Sequence, residues 1–150
     1  MATRGFEFAY MIDGSNATPV IRDFAVDGTG AYAVGDLTLV NSDGQLARVT
    51  GSTTEVTAVI QEARTSGTDG ALLKAAIITH TQVWRCSMNA TSTLAQKFYN
   101  KLIDTVDHNT IDAGDLTNGR MMLVDTDTDD EGNVLAYVTF RVPSAGNALS

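Results

Sequence analysis

The stretch Ala31–Ala63, AYAVGDLTLVNSDGQLARVTGSTTEVTAVIQEA, reads as three short strands joined by loops. Leu37 and Leu39 lie on one side of the first alternating run, and the segment Asn41–Gly44 supplies a turn before the second run. Asp-Gly between two alternating runs is a strong hairpin signal, since glycine adopts a positive φ without a Cβ clash. A third alternating run spans residues 56–60. The stretch predicts consecutive antiparallel strands and therefore a mainly β protein, a small antiparallel β-barrel or sandwich.

The composition favours one acidic, soluble domain. The chain has 150 residues, of which 43% are hydrophobic, enough for a single core. Its net charge of −8 argues against nucleic acid or an anionic membrane as a partner. Cys86 is the only cysteine, so no internal disulfide can form. Because no apolar run has the length of a signal peptide or a membrane span, we expect synthesis in a cytoplasm.

Residues 4–12 predict an extended N-terminal arm. Phe6, Phe8, Tyr10 and Ile12 alternate with smaller or polar residues, which is strand periodicity. Three aromatic side chains on one side of such an arm require burial, either in the core of the same chain or against a neighbouring subunit. We take these four residues as candidates for contact with another chain.

Further strands follow along the chain. Residues 20–26 form a second extended piece. Ala71–Cys86 is rich in β-branched residues and predicts one long strand, or two strands with a bend near residues 79–82. The last hairpin pairs Arg120–Val124 with Asn133–Val142 across an acidic loop.

One helix is predicted, over about residues 93–106. Thr93 and Gln96 have the spacing of a capping box. An apolar residue then recurs every four positions, which gives one stripe of side chains to lie against the sheet. The members of this stripe are Leu94, Phe98, Leu102 and Val106.

No pattern of residues predicts catalysis, a cofactor or a metal. The acidic loop Asp125–Gly132 alternates aspartates as a calcium loop does, but the glycine and the final glutamate of that motif are missing. A solvated hairpin tip is the favoured interpretation, with Ca²⁺ binding as the alternative. His80 and His108 have no metal-ligand spacing. The sequence therefore predicts that the protein is not an enzyme and has no catalytic, cofactor-binding or metal-ligating residues.

The predicted organisation has three parts. Residues 1–30 form the extended arm and its strands, residues 31–143 form the β body with one helix, and residues 144–150 form a flexible tail. The tail is small and polar, which is typical of a mobile terminus.

The sequence resembles the head decoration, or cement, proteins of tailed bacteriophages. The resemblance rests on Ala31-Tyr-Ala-Val-Gly-Asp-Leu37, on Ser42-Asp-Gly44 between two strands, and on Val56-Thr-Ala-Val-Ile60. It implies a β body, no catalytic residues, and an oligomer, a trimer more than a dimer, that binds the major capsid protein on the exterior of the expanded capsid. The protein would then be made in the host cytoplasm and would stabilise the virion by clamping neighbouring capsomers.

Three other classes of protein remain open from the sequence, and one of them is a small enzyme whose reaction the chain does not indicate. A phage tail-tube or head-completion subunit would share the β body and would assemble into rings or tubes on its own. A carbohydrate-binding module would need aromatic side chains exposed to solvent.

Overall fold

The computed structural model describes residues 4–51, 55–89, 102–114 and 119–141. Within these ranges the chain is mainly β. The strands are β1 Glu7–Met11, β2 Ile21–Ala25, β3 Leu37–Val40, β4 Leu46–Arg48, β5 Ala58–Ile60, β6 Leu72–Ile77, β7 Gln82–Ser87, β8 Leu102–Asp107, β9 Thr110–Asp112, β10 Met121–Thr128 and β11 Val134–Phe140. These ranges contain no helix, and hence no helical segment of the length and apolarity needed to cross a membrane.

Two antiparallel sheets make up the described fold. One sheet has six strands in the order β1-β7-β11-β10-β8-β9, and the other has five in the order β2-β6-β5-β3-β4. They share one core, in which Trp84 and Val138 of the six-stranded sheet lie with Leu37 and Val59 of the five-stranded sheet. Two sheets that bury their facing sides in this way form a β-sandwich. The sequence left barrel and sandwich open, and the described strands do not close into a barrel.

A second core lies on the opposite side of the five-stranded sheet. Successive residues of β5 are buried on both faces: Val59 belongs to the shared core, while Ala58 and Ile60 belong to the second core. The two outer strands of this sheet approach each other at a parallel bridge between Val26 and Leu46. The sheet therefore curls around the second core.

Two of the predicted strand arrangements are confirmed. β3 and β4 form the predicted hairpin, in which the Asn41 side chain accepts the N–H groups of Asp43 and Gln45 at 3.0 Å each. The run Ala71–Cys86 forms two strands, β6 and β7, with the bend between residues 77 and 82. The two strands belong to different sheets, so this bend connects the layers of the sandwich.

The predicted helix is wrong where the structure describes it. Residues 102–107 form β8, while residues 90–101, which hold the capping box, lie outside the described ranges. A spacing of four residues places side chains on one face of a strand as well as on one face of a helix. In β8 the buried residues are Ile103, Asp104 and Thr105, whereas Val106 of the expected apolar stripe is exposed.

The N-terminal segment is fixed to the five-stranded sheet by a close backbone contact. The N–H of Phe6 donates to the carbonyl of Gly35 at 2.8 Å. A Cβ on Gly5 would lie 2.8 Å from that carbonyl oxygen, and Gly35 itself has a φ of +98°. Both positions therefore require glycine, one for space and the other for space and backbone angle.

The next residue, Asp36, joins several segments by its carboxylate. Arg48 Nε donates to its Oδ2 at 2.8 Å, and the N–H of Ala33 donates to the same oxygen at 2.9 Å. His108 Nε2, in the turn after β8, lies 3.7 Å from Oδ1. Because Asp36 is almost fully buried, these partners compensate for the loss of water around its charge.

We expect Gly35→Ala to lower the free energy of unfolding by about 2 kcal/mol or more, from backbone strain combined with a clash. Gly28→Ala is the matched control, because Gly28 has a φ of +78° but nothing within 4 Å of an added Cβ. Urea denaturation of both variants measures the difference. If both variants lost the same free energy of unfolding, the clash between a Cβ on residue 35 and the backbone of residue 5 would make no contribution to the loss.

A buried ion pair lies in the six-stranded sheet. Arg120 Nε is 2.9 Å from Asp104 Oδ1, and the arginine side chain is 1% exposed. The contact lacks hydrogen-bond geometry, and Nη1 and Nη2 are also buried without an acceptor among the described residues. Burial lowers the pKa of Arg120, and the nearby Asp104 opposes that shift. The positive charge thus depends heavily on Asp104.

We expect Asp104→Asn to lower the free energy of unfolding by about 3 kcal/mol, since it leaves a buried charge without its counter-ion. Asp23→Asn removes the same charge from the exposed pair with Lys74, 3.2 Å away, and should cost less than about 1 kcal/mol. The measurement is again urea denaturation. A small, equal effect of both substitutions would contradict this dependence.

Candidate functional site

The four residues predicted to contact another chain lie in two different environments. Phe6 is 1% exposed and packs against Phe140, with ring centroids 5.8 Å apart. Phe8 is half-buried and meets Trp84 edge-on at 5.7 Å. These two side chains belong to the core of their own chain, which was one of the two alternatives for burial of the arm.

Tyr10 departs from the predicted alternation because β1 contains a bulge. Phe8 pairs with Trp84 and Tyr10 pairs with Val83, so Ala9 is the extra residue. A bulge shifts the following side chains to the other face of the strand. Tyr10 therefore lies on the outer face of the six-stranded sheet, 45% exposed, with its ring 6.4 Å from that of Tyr137.

The outer face carries a row of polar residues across four adjacent strands. Glu7 of β1 pairs in register with Arg85 of β7, Arg85 with Tyr137 of β11, and Tyr137 with Asp125 of β10. Arg85 Nη2 donates to Glu7 Oε2 at 2.7 Å. Hydrogen bonds to Glu7 and then to Tyr137 raise the pKa of Arg85. Its guanidinium is thereby held in place in the middle of the row.

A depression of about 640 Å³ opens over this row, and we call it the tyrosine groove. Its walls include Tyr10, Tyr137, Arg85, Asp125 and Asp127. An adjoining depression of about 520 Å³ shares Arg85 and Asp127 with it. Together they form a furrow across the strands, and each depression alone has the size that small ligands occupy in proteins.

The acidic loop is shorter than the sequence predicted. β10 continues to Thr128, so Asp125 and Asp127 lie on a strand. Asp129 forms the turn: its Oδ1 accepts the N–H groups of Glu131 at 3.0 Å and Asn133 at 2.8 Å. The side-chain amide of Asn133 also donates to Asp129 Oδ2 at 2.9 Å. The hydrogen bonds from Asn133 are the main cause that lowers the pKa of Asp129.

We expect Asp129→Asn to lower the melting temperature at pH 7. The pKa of Asp129 lies below its ordinary value of 3.8, so the ionised carboxylate stabilises the fold above that pH. This contribution is lost as the pH falls through the lowered pKa, and the difference between the two proteins should narrow there. Thermal unfolding followed by circular dichroism between pH 7 and about pH 3 measures it.

Asp130→Asn is the control for that experiment, because Asp130 is an exposed carboxylate on the same turn. Its melting temperature should stay close to that of the wild type. If both variants behave alike, general repulsion between the acidic residues would explain the effect better than the turn hydrogen bonds.

Three exposed aliphatic side chains lie on segments that are hydrogen-bonded at the two ends of the short β6–β7 connection. Ile12 is 38% exposed, and Val20 and Ile21 are each 49% exposed. The N–H of Ile12 donates to the carbonyl of Thr81 at 2.8 Å, and the N–H of Ile77 donates to the carbonyl of Val20 at 2.9 Å. Both contacts flank the short β6–β7 connection. We call Ile12, Val20 and Ile21 the apolar edge.

The Cys86 thiol, a group of the kind used in catalysis, is part of the core. Burial raises the pKa of the Cys86 thiol well above its ordinary value, so it stays protonated at neutral pH. Among the described residues, no three or more His, Cys, Asp or Glu side chains are grouped so as to hold a metal ion. Whether the acidic turn binds Ca²⁺ stays a prediction, as does the absence of enzymatic activity.

Comparisons of the chain with protein-family models, curated proteins and solved structures found no match.

The sequence did not single out Arg85 or Tyr137 as members of a site. Tyr137 was recognisable as part of the polar side of the last alternating strand, but its neighbours were not. The groove draws on β1, β7, β10 and β11, which are far apart along the chain. Only the register of the strands brings these residues together.

Proposed function

We propose that this protein is a structural component of a tailed bacteriophage that binds the outer surface of the expanded capsid. It acts there as a homo-oligomer, with a trimer preferred to a dimer, and its partner is the major capsid protein. By bridging neighbouring capsomers it stabilises the shell. The resemblance of residues 31–60 to head decoration proteins supports the proposal, as does the β-sandwich architecture.

The observation that carries the proposal furthest is the apolar edge. Three exposed aliphatic side chains lie on the segments that flank the β6–β7 connection, in a protein with a net charge of −8. Burying three half-exposed side chains contributes on the order of 1 kcal/mol each per copy. Such a contact is weak alone, but many copies on one shell bind with avidity.

The outer strand β2 offers a second type of contact. It is the first strand of its sheet and pairs regularly with β6, so it presents backbone groups that an extended segment of a neighbour can pair with. A closed cyclic oligomer fits the threefold positions of an icosahedral lattice without leaving contacts unused. This is the reason to prefer a trimer.

We expect the purified protein to cosediment with expanded phage heads that lack it and not with unexpanded precursors. Because the chain is strongly acidic, the contact should depend mainly on apolar surface. Binding should therefore survive about 0.5 M salt, where the screening length is about 4 Å. If the protein bound both kinds of head equally and lost that binding at this salt concentration, the proposal that it clamps neighbouring capsomers would be wrong.

Two matched double variants test whether the apolar edge makes the contact with the capsid. Ile12→Ser with Ile21→Ser should abolish cosedimentation while the circular dichroism spectrum stays native. Val34→Ser with Val40→Ser removes comparable exposed aliphatic surface elsewhere, and should bind normally. Equal binding of both variants would exclude the apolar edge as the contact.

The oligomer is tested separately, by sedimentation velocity and by electron microscopy of the pure protein. A discrete trimer is the expected species. Rings or tubes formed without a capsid would favour the tail-tube subunit instead.

A further inference from the structure

We propose that the tyrosine groove binds a neutral oligosaccharide. The groove places two tyrosine rings beside carboxylate acceptors and a fixed guanidinium donor, a combination that suits a ligand with apolar C–H faces and many hydroxyl groups. The site is distinct from the apolar edge, with which it shares no residue.

The aromatic pair supplies the apolar contact. The rings of Tyr10 and Tyr137 lie 6.4 Å apart and are tilted by 32° to each other, and Tyr10 is nearly half exposed. The C–H bonds on one side of a pyranose ring form a flat apolar face that packs against such a ring, with additional weak C–H contacts. Because tyrosine has few rotatable bonds, this surface loses little conformational entropy when a ligand binds.

Hydrogen-bonding groups accompany the aromatic pair on β10 and β7. Asp127 accepts one backbone N–H at 2.8 Å through Oδ1, and an ionised carboxylate has about four acceptor positions in all. Sugar hydroxyl groups donate well to such oxygens. Arg85 supplies donors from β7, and its hydrogen bond to Glu7 holds it ready before a ligand arrives.

The charge of the groove selects against other ligands. Asp125 and Asp127 outnumber Arg85, so phosphate, nucleic acid and acidic sugars are repelled. A basic peptide is the strongest competing ligand for an acidic groove with tyrosines, because the Arg85 guanidinium is already paired with Glu7, and the test therefore includes such a peptide. A neutral, hydroxyl-rich ligand is not repelled and can use the carboxylate acceptors and the guanidinium donor together.

The shape of the groove favours a chain of sugar units over a single one. The two depressions, of about 640 and 520 Å³, join at Arg85 and Asp127 and run across several strands. Open furrows of this kind admit a polymer from the side. We therefore expect affinity to increase from monosaccharide to hexasaccharide.

The test titrates the ¹⁵N-labelled full chain with five neutral hexasaccharides: cellohexaose, maltohexaose, xylohexaose, mannohexaose and chitohexaose. At least one should bind with a dissociation constant below about 1 mM. Chemical-shift changes should be confined to β1, β7, β10 and β11. Hexalysine serves as the competing probe.

Variants then assign the contacts. Tyr10→Ala should weaken binding about tenfold, whereas Tyr10→Phe, which keeps the ring, should retain most of it. Asp127→Asn should weaken binding, and Asp43→Asn, the same change at the β3–β4 turn, should not. Native circular dichroism of each variant excludes a folding defect.

Three outcomes overturn the proposal. The first is that none of the five hexasaccharides binds at about 10 mM. The second is binding that Tyr10→Ala leaves unchanged, and the third is tighter binding of hexalysine than of any saccharide. Because the titration uses the free protein, failure here leaves capsid binding through the apolar edge unaffected.

Discussion

Gly5 and Gly35 pass each other so closely that neither could carry a side chain without displacing the other's backbone. The rest of the sandwich depends on this contact. It places Phe6 in the core shared by the two sheets, and it holds the start of β1 against the five-stranded sheet through the bond from Phe6 to Gly35. The next residue, Asp36, extends the same junction to Arg48 and to the turn that carries His108. This junction thereby connects the two sheets at one corner of the sandwich.

Local patterns were sufficient to predict much of the fold. Turn-forming residues and alternation over a few positions determine three of the predicted features: the Asn41–Gly44 turn, the bend after β6 and the final hairpin. These signals are local in the sequence, so they can be recognised without knowing the fold. The prediction of a helix was wrong for a reason that is equally local. Leu102 and Val106 are four residues apart, and that spacing satisfies both a helix of period 3.6 and a strand of period 2. Pairing with β9 and β10 decides between the two, and that pairing is a tertiary property.

The candidate site could not be predicted in the same way. Tyr10 reaches the outer face because Ala9 is a bulged residue, and no signature in the sequence distinguishes this alanine from one in a regular strand. The partners of Tyr10 in the groove are contributed by strands whose order in the sheet differs from their order in the chain. Asp129 was expected on a solvated tip, but its role in the turn depends on Asn133 being presented at the right distance. Each of these features depends on three-dimensional geometry, which the hydrophobic periodicity of the sequence and the propensities of its residues do not encode.

The bulge in β1 also affects how the protein behaves when it is concentrated. An outer strand with a regular row of free backbone groups can template the addition of further strands without limit, which is the route to fibrous aggregates. β1 has five residues, and its ladder is interrupted at Ala9. The extra residue also increases the local twist, so a second flat strand matches only a short part of this edge. The same irregularity that turns Tyr10 outward therefore limits how far a further strand can extend the six-stranded sheet at this edge.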